Sequence, residues 1–204
     1  MELRQQLRGR LLDWMMQAVN ELRAPTLSAA VGDVLEVGFG TGLNLPYYPS
    51  TVKKLLALDP KVVEGLPPLD ERLRRAAFPV ERSSLRADGE LPFDSRRFDC
   101  VVTTWALCSI PDPLRALGEM RRVLKPDGHY LFIEHGCAPT ARSAWWQDQL
   151  NPLWCRIADG CNMNRSIDRI VEEGGFELTS LERFRHGGPG LLGHMYRGVA
   201  TPSA

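Results

Sequence analysis

Val34-Leu-Glu-Val-Gly-Phe-Gly-Thr-Gly-Leu-Asn44 is an apolar strand that runs directly into three glycines at alternate positions, Gly38, Gly40 and Gly42. Residues without side chains let the chain turn sharply there and let a ligand lie against the backbone. A glycine cluster carries weight only inside a strand–turn–helix unit, and this sequence supplies one. Asp33–Val37 reads as a buried strand, and Lys53–Asp59 as a second one that ends in an acid. Pro79–Leu85, Phe98–Thr104 and His129–His135 read as the third to fifth strands. Between the last two, Asp112–Leu124 is an amphipathic helix closed by Lys125-Pro-Asp-Gly128, where proline stops the helix and glycine reverses the chain. This alternation predicts an α/β fold, a mostly parallel sheet with helices on both faces.

Beyond that core, residues 143–156 read as helical, and Phe176–Phe184 and His194–Thr201 as closing strands. The loop between these strands, His186-Gly-Gly-Pro-Gly190, is either a lid or a plain connection. Upstream, Leu3, Leu7, Leu11, Met15, Ala18 and Leu22 form one apolar stripe on a helix over residues 3–22, widened by Trp14. Such a helix packs on the core or lies on a membrane surface.

The 204 residues suit one domain. Lysine plus arginine and aspartate plus glutamate number 25 each, so no net charge draws the chain to nucleic acid. The basic runs Arg72-Leu-Arg-Arg75 and Arg121-Arg122 read as solvated helix faces. No signal peptide or membrane-spanning stretch is visible, so no integral membrane contact is expected. The five cysteines, at 100, 108, 137, 155 and 161, contain no CxxC pair and suggest neither a disulfide framework nor a metal site. Reduced, inert thiols in a cytoplasmic protein are the expectation.

The glycine turn discriminates between two cofactors. Dinucleotide enzymes use G-x-G-x-x-G, so that a pyrophosphate rests on the helix N-terminus. Leu43 occupies the third glycine position here, and Glu36 just before the turn is a poor neighbour for phosphate. S-adenosylmethionine carries an amino group, a carboxylate and a sulfonium but no phosphate, and suits bare backbone beside an acid. The run Glu36-Val-Gly-Phe-Gly-Thr-Gly42, the acid Asp59, Glu90-Leu-Pro-Phe93 with Phe98-Asp99, and Arg121-Arg-Val-Leu-Lys-Pro-Asp-Gly128 together resemble class I S-adenosylmethionine-dependent methyltransferases. The likeness is to the methyltransferase type 11 group that includes ubiquinone and menaquinone methyltransferases. It implies a Rossmann-like, seven-stranded sheet whose last strand is antiparallel. The implied domain has residues 31–204 as its catalytic core and residues 1–24 as a helix capping the active site.

The same resemblance implies roles for individual residues. Asp59 would accept both ribose hydroxyls, Gly38, Gly40 and Gly42 would lie under the methionine moiety and ribose, and Pro60 would sit beside the adenine. Glu36 and Asn44 flank that cradle, and Asp88 with Gly89 would meet the adenine amino group. Thr104 and Trp105 would line the methyl-transfer face, although Trp105 also reads as a core aromatic. The product of the donor would be S-adenosylhomocysteine.

Ala106-Leu-Cys-Ser109, Phe132-Ile-Glu-His135, Trp146-Gln147, Leu150-Asn-Pro with Trp154, Asp159-Gly-Cys-Asn162 and His194-Met-Tyr196 are similar to the animal methyltransferase-like proteins, some of which methylate alkyl thiols. The expected acceptor is therefore a small, rather apolar molecule, first a thiol, with a quinone ring or a lipid amine as the alternative. A cofactor-binding module without catalysis is a further reading. A thiol must react as thiolate, which a nearby base favours. His135 is the candidate base, or else a structural histidine, and Asp159 is a second acid or a turn residue. Trp145, Trp146 and Trp154 would wall the acceptor pocket or pack the helix on the core.

Overall fold

The computed structural model describes residues 13–14, 16–60, 66–85, 87–158, 160–187 and 190–203. A 3-10 turn, Asn20–Leu22, leads into α1 (Arg23–Leu27), followed by β1 (Gly32–Val37), β2 (Val52–Asp59), α2 (Pro67–Arg75), β3 (Val80–Ser84) and β4 (Phe98–Thr104). Then come α3 (Pro113–Val123), β5 (Leu124–His135), α4 (Ala141–Ile157), α5 (Ile167–Glu173), β6 (Phe176–Arg185) and β7 (His194–Pro202). The seven strands form one sheet in the order β3-β2-β1-β4-β5-β7-β6. β1 to β5 run parallel, and β7 is antiparallel to both of its neighbours.

Alternate side chains of the parallel strands supply two cores. Val34, Leu55, Ala57, Cys100 and Val102 pack with Leu27, Leu66 and Leu69 on one face. Leu35, Val37, Leu56, Leu58, Val101 and Phe132 pack on the other with Ala116, Leu117, Met120 and Val123 of α3 and with Ile167 and Val171 of α5. Both faces are covered, so these strands read as continuous apolar runs. α3 is started by Asp112, whose side chain accepts from Arg115 N at 3.0 Å, and by Pro113 in its first turn.

The differences from sequence expectation have local causes. β5 begins at Leu124 rather than His129, because Leu124 already pairs with Phe98. The Lys125–Gly128 turn is an irregularity within the strand, held by Lys125 Nζ donating to Asp99 at 2.5 Å. α5 carries too short an apolar pattern to be read alone. Residues 13–14 and 16–17 are helical, as the N-terminal stripe predicts, but Leu3, Leu7, Leu11 and Met15 lie outside the described residues.

Because β1 to β5 are parallel, Val37, Asp59, Ser84, Thr104 and His135 all end at one edge of the sheet. The chain builds outward from β1 through β2 to β3, then crosses to β4 on the other side. The crevice above β1 and β4 is the point where strand order reverses, the usual ligand position in such sheets.

Candidate active site

The glycine turn fills that crevice, and its three glycines are required for different reasons. All three hold left-handed backbone, with φ of +82° at Gly38, +56° at Gly40 and +71° at Gly42. A Cβ on Gly38 would come within 2.3 Å of Ala106 Cβ, so this glycine lets β4's following loop approach. A Cβ on Gly42 would press on Leu69 and Phe39 at 3.1 Å. A Cβ on Gly40 would meet nothing within 4 Å, because it would project into open space. Gly40 N donates to Asp59 Oδ2 at 2.9 Å, which ties the turn to the end of β2.

That open space is a cavity of about 110 Å³ lined by Met16, Arg23, Glu36, Gly38, Gly40, Asn44, Thr104 and Trp105, among others. Its floor is a buried polar web. Asn44 Nδ2 donates to Glu36 Oε1 at 2.9 Å and to Thr104 Oγ1 at 3.0 Å, and Arg23 Nη1 donates to Asn44 Oδ1 at 2.7 Å. Tyr48 OH donates to Glu36 Oε2 at 2.8 Å. Burial pushes the Glu36 carboxyl up to about 7 despite these donors and the nearby Arg23. Burial likewise brings Arg23 down to about 10, and the Glu36 charge opposes that shift. Trp105 sits at the cavity wall in left-handed backbone, φ +52°, its N–H donating to Ile133 O at 2.8 Å. The Arg23 guanidinium lies 5.0 Å from its ring centroid. The indole Nε1 is buried and has no hydrogen-bond partner among the described residues. A larger, open hollow of about 370 Å³ beside α2 is lined by Glu71, Arg72 and Arg75 and by no strand-end residue.

The N-terminal segment reaches over the glycine turn. Asp13 Oδ1 accepts from Thr41 Oγ1 at 2.8 Å and from Arg72 Nη1 at 2.5 Å, while the same Arg72 nitrogen donates to Thr41 O at 2.9 Å. Arg23, Asp13, Arg72 and Tyr48 were not legible as site residues. They come from four separate stretches of chain, and no motif spacing joins them.

The remaining candidates lie along the same edge. Pro60 is exposed beyond β2, and its carbonyl accepts from Ser84 Oγ at 3.3 Å. Asp88 and Gly89 are half-buried in the loop that follows β3. His135 ends β5 and is half-buried, its Nδ1 buried without a hydrogen-bond partner among the described residues. Asp159 lies outside the described residues, as do Gly188 and Pro189 of the β6–β7 loop. Trp145 and Trp146 stand 53% and 45% exposed on the outer face of α4, edge to face with each other, rather than packed on the core, whereas Trp154 is half-buried with its indole nitrogen buried.

Two buried polar side chains shape the edge around His135. Glu134 accepts from the backbone N–H of Ala106, Leu107 and Cys108 at 3.2, 3.0 and 3.3 Å, which fixes the loop after β4. Burial raises its carboxyl above the ordinary range, against those donors. Gln147, the one fully buried residue of α4, accepts from Ala138 N at 2.7 Å. Its amide donates to Gly136 O at 3.2 Å and to Met163 O and Leu191 O, both at 2.9 Å. It thereby joins the segment just after β5, the segment after α4 and the β6–β7 loop.

The seven-stranded order with an inserted antiparallel β7, and a glycine cradle tied to an acid on β2, define a Rossmann-like α/β domain with a ligand cradle at its switch point. Comparison with known proteins makes this specific. Residues 35–132 match a family model described as a methyltransferase domain. The chain is 33% identical over 175 residues to the thiol S-methyltransferase TMT1B of Mus musculus, covering 78% of this chain and 68% of that protein. It is 34% identical over 168 residues to the Homo sapiens thiol S-methyltransferase TMT1B, covering 77% of this chain but 66% of the human protein, just under two thirds of its length. The chain belongs to the class I S-adenosylmethionine-dependent methyltransferases. Among solved structures, the Burkholderia thailandensis 1,6-didemethyltoxoflavin-N1-methyltransferase with bound 1,6-didemethyltoxoflavin and S-adenosylhomocysteine has the same fold, with a TM-score of 0.68 at 16% identity over 100% of this chain and 90% of that one.

S-adenosylmethionine, the family's cofactor, fits the residues present. The missing Cβ of Gly40 leaves its volume open, and the unpartnered Trp105 indole N–H gives the cavity wall a buried donor.

Proposed function

We propose that the chain methylates a small, rather apolar thiol, bound where the ends of β4 and β5 meet the donor cavity. S-adenosylmethionine, when bound, supplies a methyl group on a cationic sulfur, already activated for in-line displacement. Positioning then carries much of the acceleration. Gly38, Gly40 and Gly42 would let the donor lie against backbone, with Arg23, Asn44 and Thr104 at its amino-acid end and Glu36 holding Asn44. Asp59 already accepts from Gly40 N, and an ionised carboxylate with about four acceptor positions would also take the ribose hydroxyls. Pro60, Asp88 and Gly89 would meet the adenine, and Trp105 the transfer face. Residues 1–24, of which Met16 and Arg23 line the cavity, would act as its cap.

Sulfur is the preferred acceptor because the edge near His135 favours a sulfur anion. The Cys161 thiol there is drawn below the ordinary thiol range by contact with the Cys108 thiol and, against burial, by His135 and Trp154. His135 would take the acceptor's proton, and Asp159 would be the second acid. Similarity to thiol S-methyltransferases over more than three quarters of the chain supports the same choice. The five free cysteines suit a reducing compartment, and we assign the chain to the cytoplasm on that ground.

The test is release of S-adenosylhomocysteine with a panel of alkyl thiols, quinols and amines. Turnover should be fastest with thiols, and His135→Ala should lower kcat while leaving S-adenosylhomocysteine affinity unchanged. Turnover of quinols or amines with none of thiols overturns the choice of sulfur. Donor binding without turnover of any acceptor marks a binding module.

A further inference from the structure

Cys108 and Cys161 are 53 residues apart in sequence, yet their sulfurs lie 3.6 Å apart. Both are buried, in non-repetitive segments: Cys108 in the loop after β4 and Cys161 after α4. Asn162 N and Nδ2 both donate to Cys108 O, at 2.9 and 3.1 Å, so the two backbones are held side by side. A disulfide needs sulfurs about 2.05 Å apart. Closing the gap asks for a movement of about 1.5 Å, shared between two χ1 rotations and two segments that belong to no helix or strand ladder.

The two sulfurs are chemically unequal. Contact with the Cys108 thiol, and then with His135 and the Trp154 indole, favours the Cys161 thiolate against burial. Cys108 is fully buried, and contact with Cys161 together with burial and the Glu134 charge holds its proton on. A thiolate beside a protonated thiol is the arrangement in which one sulfur attacks an oxidant and the other resolves the product. Among the described residues Cys108 and Cys161 are the cysteine pair whose sulfurs are in contact, whereas the Cys100 and Cys137 thiols donate to the carbonyls of Val101 and Ala138.

We propose that Cys161 and Cys108 form a hydroperoxide-oxidisable pair that closes to a disulfide. The Cys161 thiolate attacks the peroxide's terminal oxygen, the O–O bond breaks, and the peroxide leaves as alcohol or water. Cys161 becomes a sulfenic acid. The Cys108 sulfur then displaces that hydroxyl as water, so the two sulfurs together lose two electrons and the peroxide gains two. The disulfide staples the loop that begins at Trp105, on the wall of the donor cavity, to the segment carrying Asn162 and Met163. External thiol reverses the reaction by exchange. The pair's chemistry is independent of which methyl acceptor the enzyme uses.

The experiment treats the purified full-length chain, free of donor and acceptor, with hydrogen peroxide and reads intact mass, free thiols and cross-linked peptides. The expected product is 2 Da lighter, has lost two of five thiols, and yields a Cys108–Cys161 cross-linked peptide that dithiothreitol removes. Cys108→Ser should instead stop at a Cys161 sulfenic acid trapped by dimedone, and Cys161→Ser should form neither product. Retention of all five thiols, a disulfide between other cysteines, or Cys161 oxidised to the sulfinic acid with no cross-link overturns the proposal. The wild-type peptide map decides alone if either serine variant fails to fold.

Discussion

Glu36 and Arg23 are a buried acid and a buried base in the wall of one cavity, and their environments work against their charges. The folded-state pKa of Glu36 is raised, from an ordinary 4.5 to about 7. Its contribution to stability is therefore complete below pH 4.5 and is lost as pH rises through 7. That span corresponds to about 3 kcal/mol. Glu36→Gln should remove about that much of the difference in urea-unfolding free energy between pH 5 and pH 8, and an undiminished difference would assign the effect to Glu134 instead. Asp59 stands at a different place, where its carboxylate accepts from Gly40 N, and the proposed function gives it the ribose hydroxyls. Asp59→Ala should weaken S-adenosylhomocysteine binding about 10- to 100-fold by calorimetry, the loss of a charged hydrogen bond worth about 1.5–3 kcal/mol. Unchanged affinity would place the ribose elsewhere. The placement of Gly38, Gly40 and Asp59 at the turn and the end of β2 was legible because chain-local spacing determines it. Arg23 was not, because its place depends on α1 folding back over residues 38–44.

α4 shows how an element can be legible while its orientation is not. Its helical pattern was evident over residues 143–156, and Thr140 starts it by accepting from Ser143 N at 3.3 Å. Its aromatic residues suggested the buried face, yet Trp145, Leu153 and Ile157 point outward and the polar Gln147 points in. The reason is hydrogen bonding: three carbonyls and one N–H, from three separate segments, end near this helix and need a bifunctional amide rather than a ring. Gln147→Leu keeps the volume and strands those four groups. It should cost about 2–4 kcal/mol in chemical unfolding, since each unpaired buried polar group costs about 1–3 kcal/mol and some will find water. Trp145→Ala, by contrast, should change stability by less than about 0.5 kcal/mol. Equal losses for the two would mean that α4 packs through its aromatic face. The strands were easier to place because two-sided burial leaves long apolar runs, as in Leu55–Leu58, whose meaning does not depend on distant partners.

At the scale of the whole molecule, the sheet brings every strand-end residue to one edge, and the N-terminal segment is drawn over that edge by contacts that jump 28 and 59 residues. Sequence patterns could specify the sheet, whose units are local βαβ repeats, but not this closure, which rests on one carboxylate shared by Thr41 and Arg72. The Asp13–Arg72 pair is largely buried, with side chains 6% and 17% exposed, so its loss should be felt more than that of a surface ion pair. If the segment caps the donor, ordering it and binding the donor are coupled, and anything that loosens the segment must weaken binding by the same free energy. S-adenosylhomocysteine at 100 times its Kd should stabilise the wild-type chain by about 2.7 kcal/mol. Asp13→Ala at the same ligand concentration should show about 1.4 kcal/mol less stabilisation, the equivalent of a tenfold higher Kd. Stopped-flow binding should assign the change to faster release, because the glycine cradle itself is intact. The same ligand-induced stabilisation in Asp13→Ala and wild type, with both equally destabilised or not in the free state, would show that the segment packs on the turn without closing over the donor.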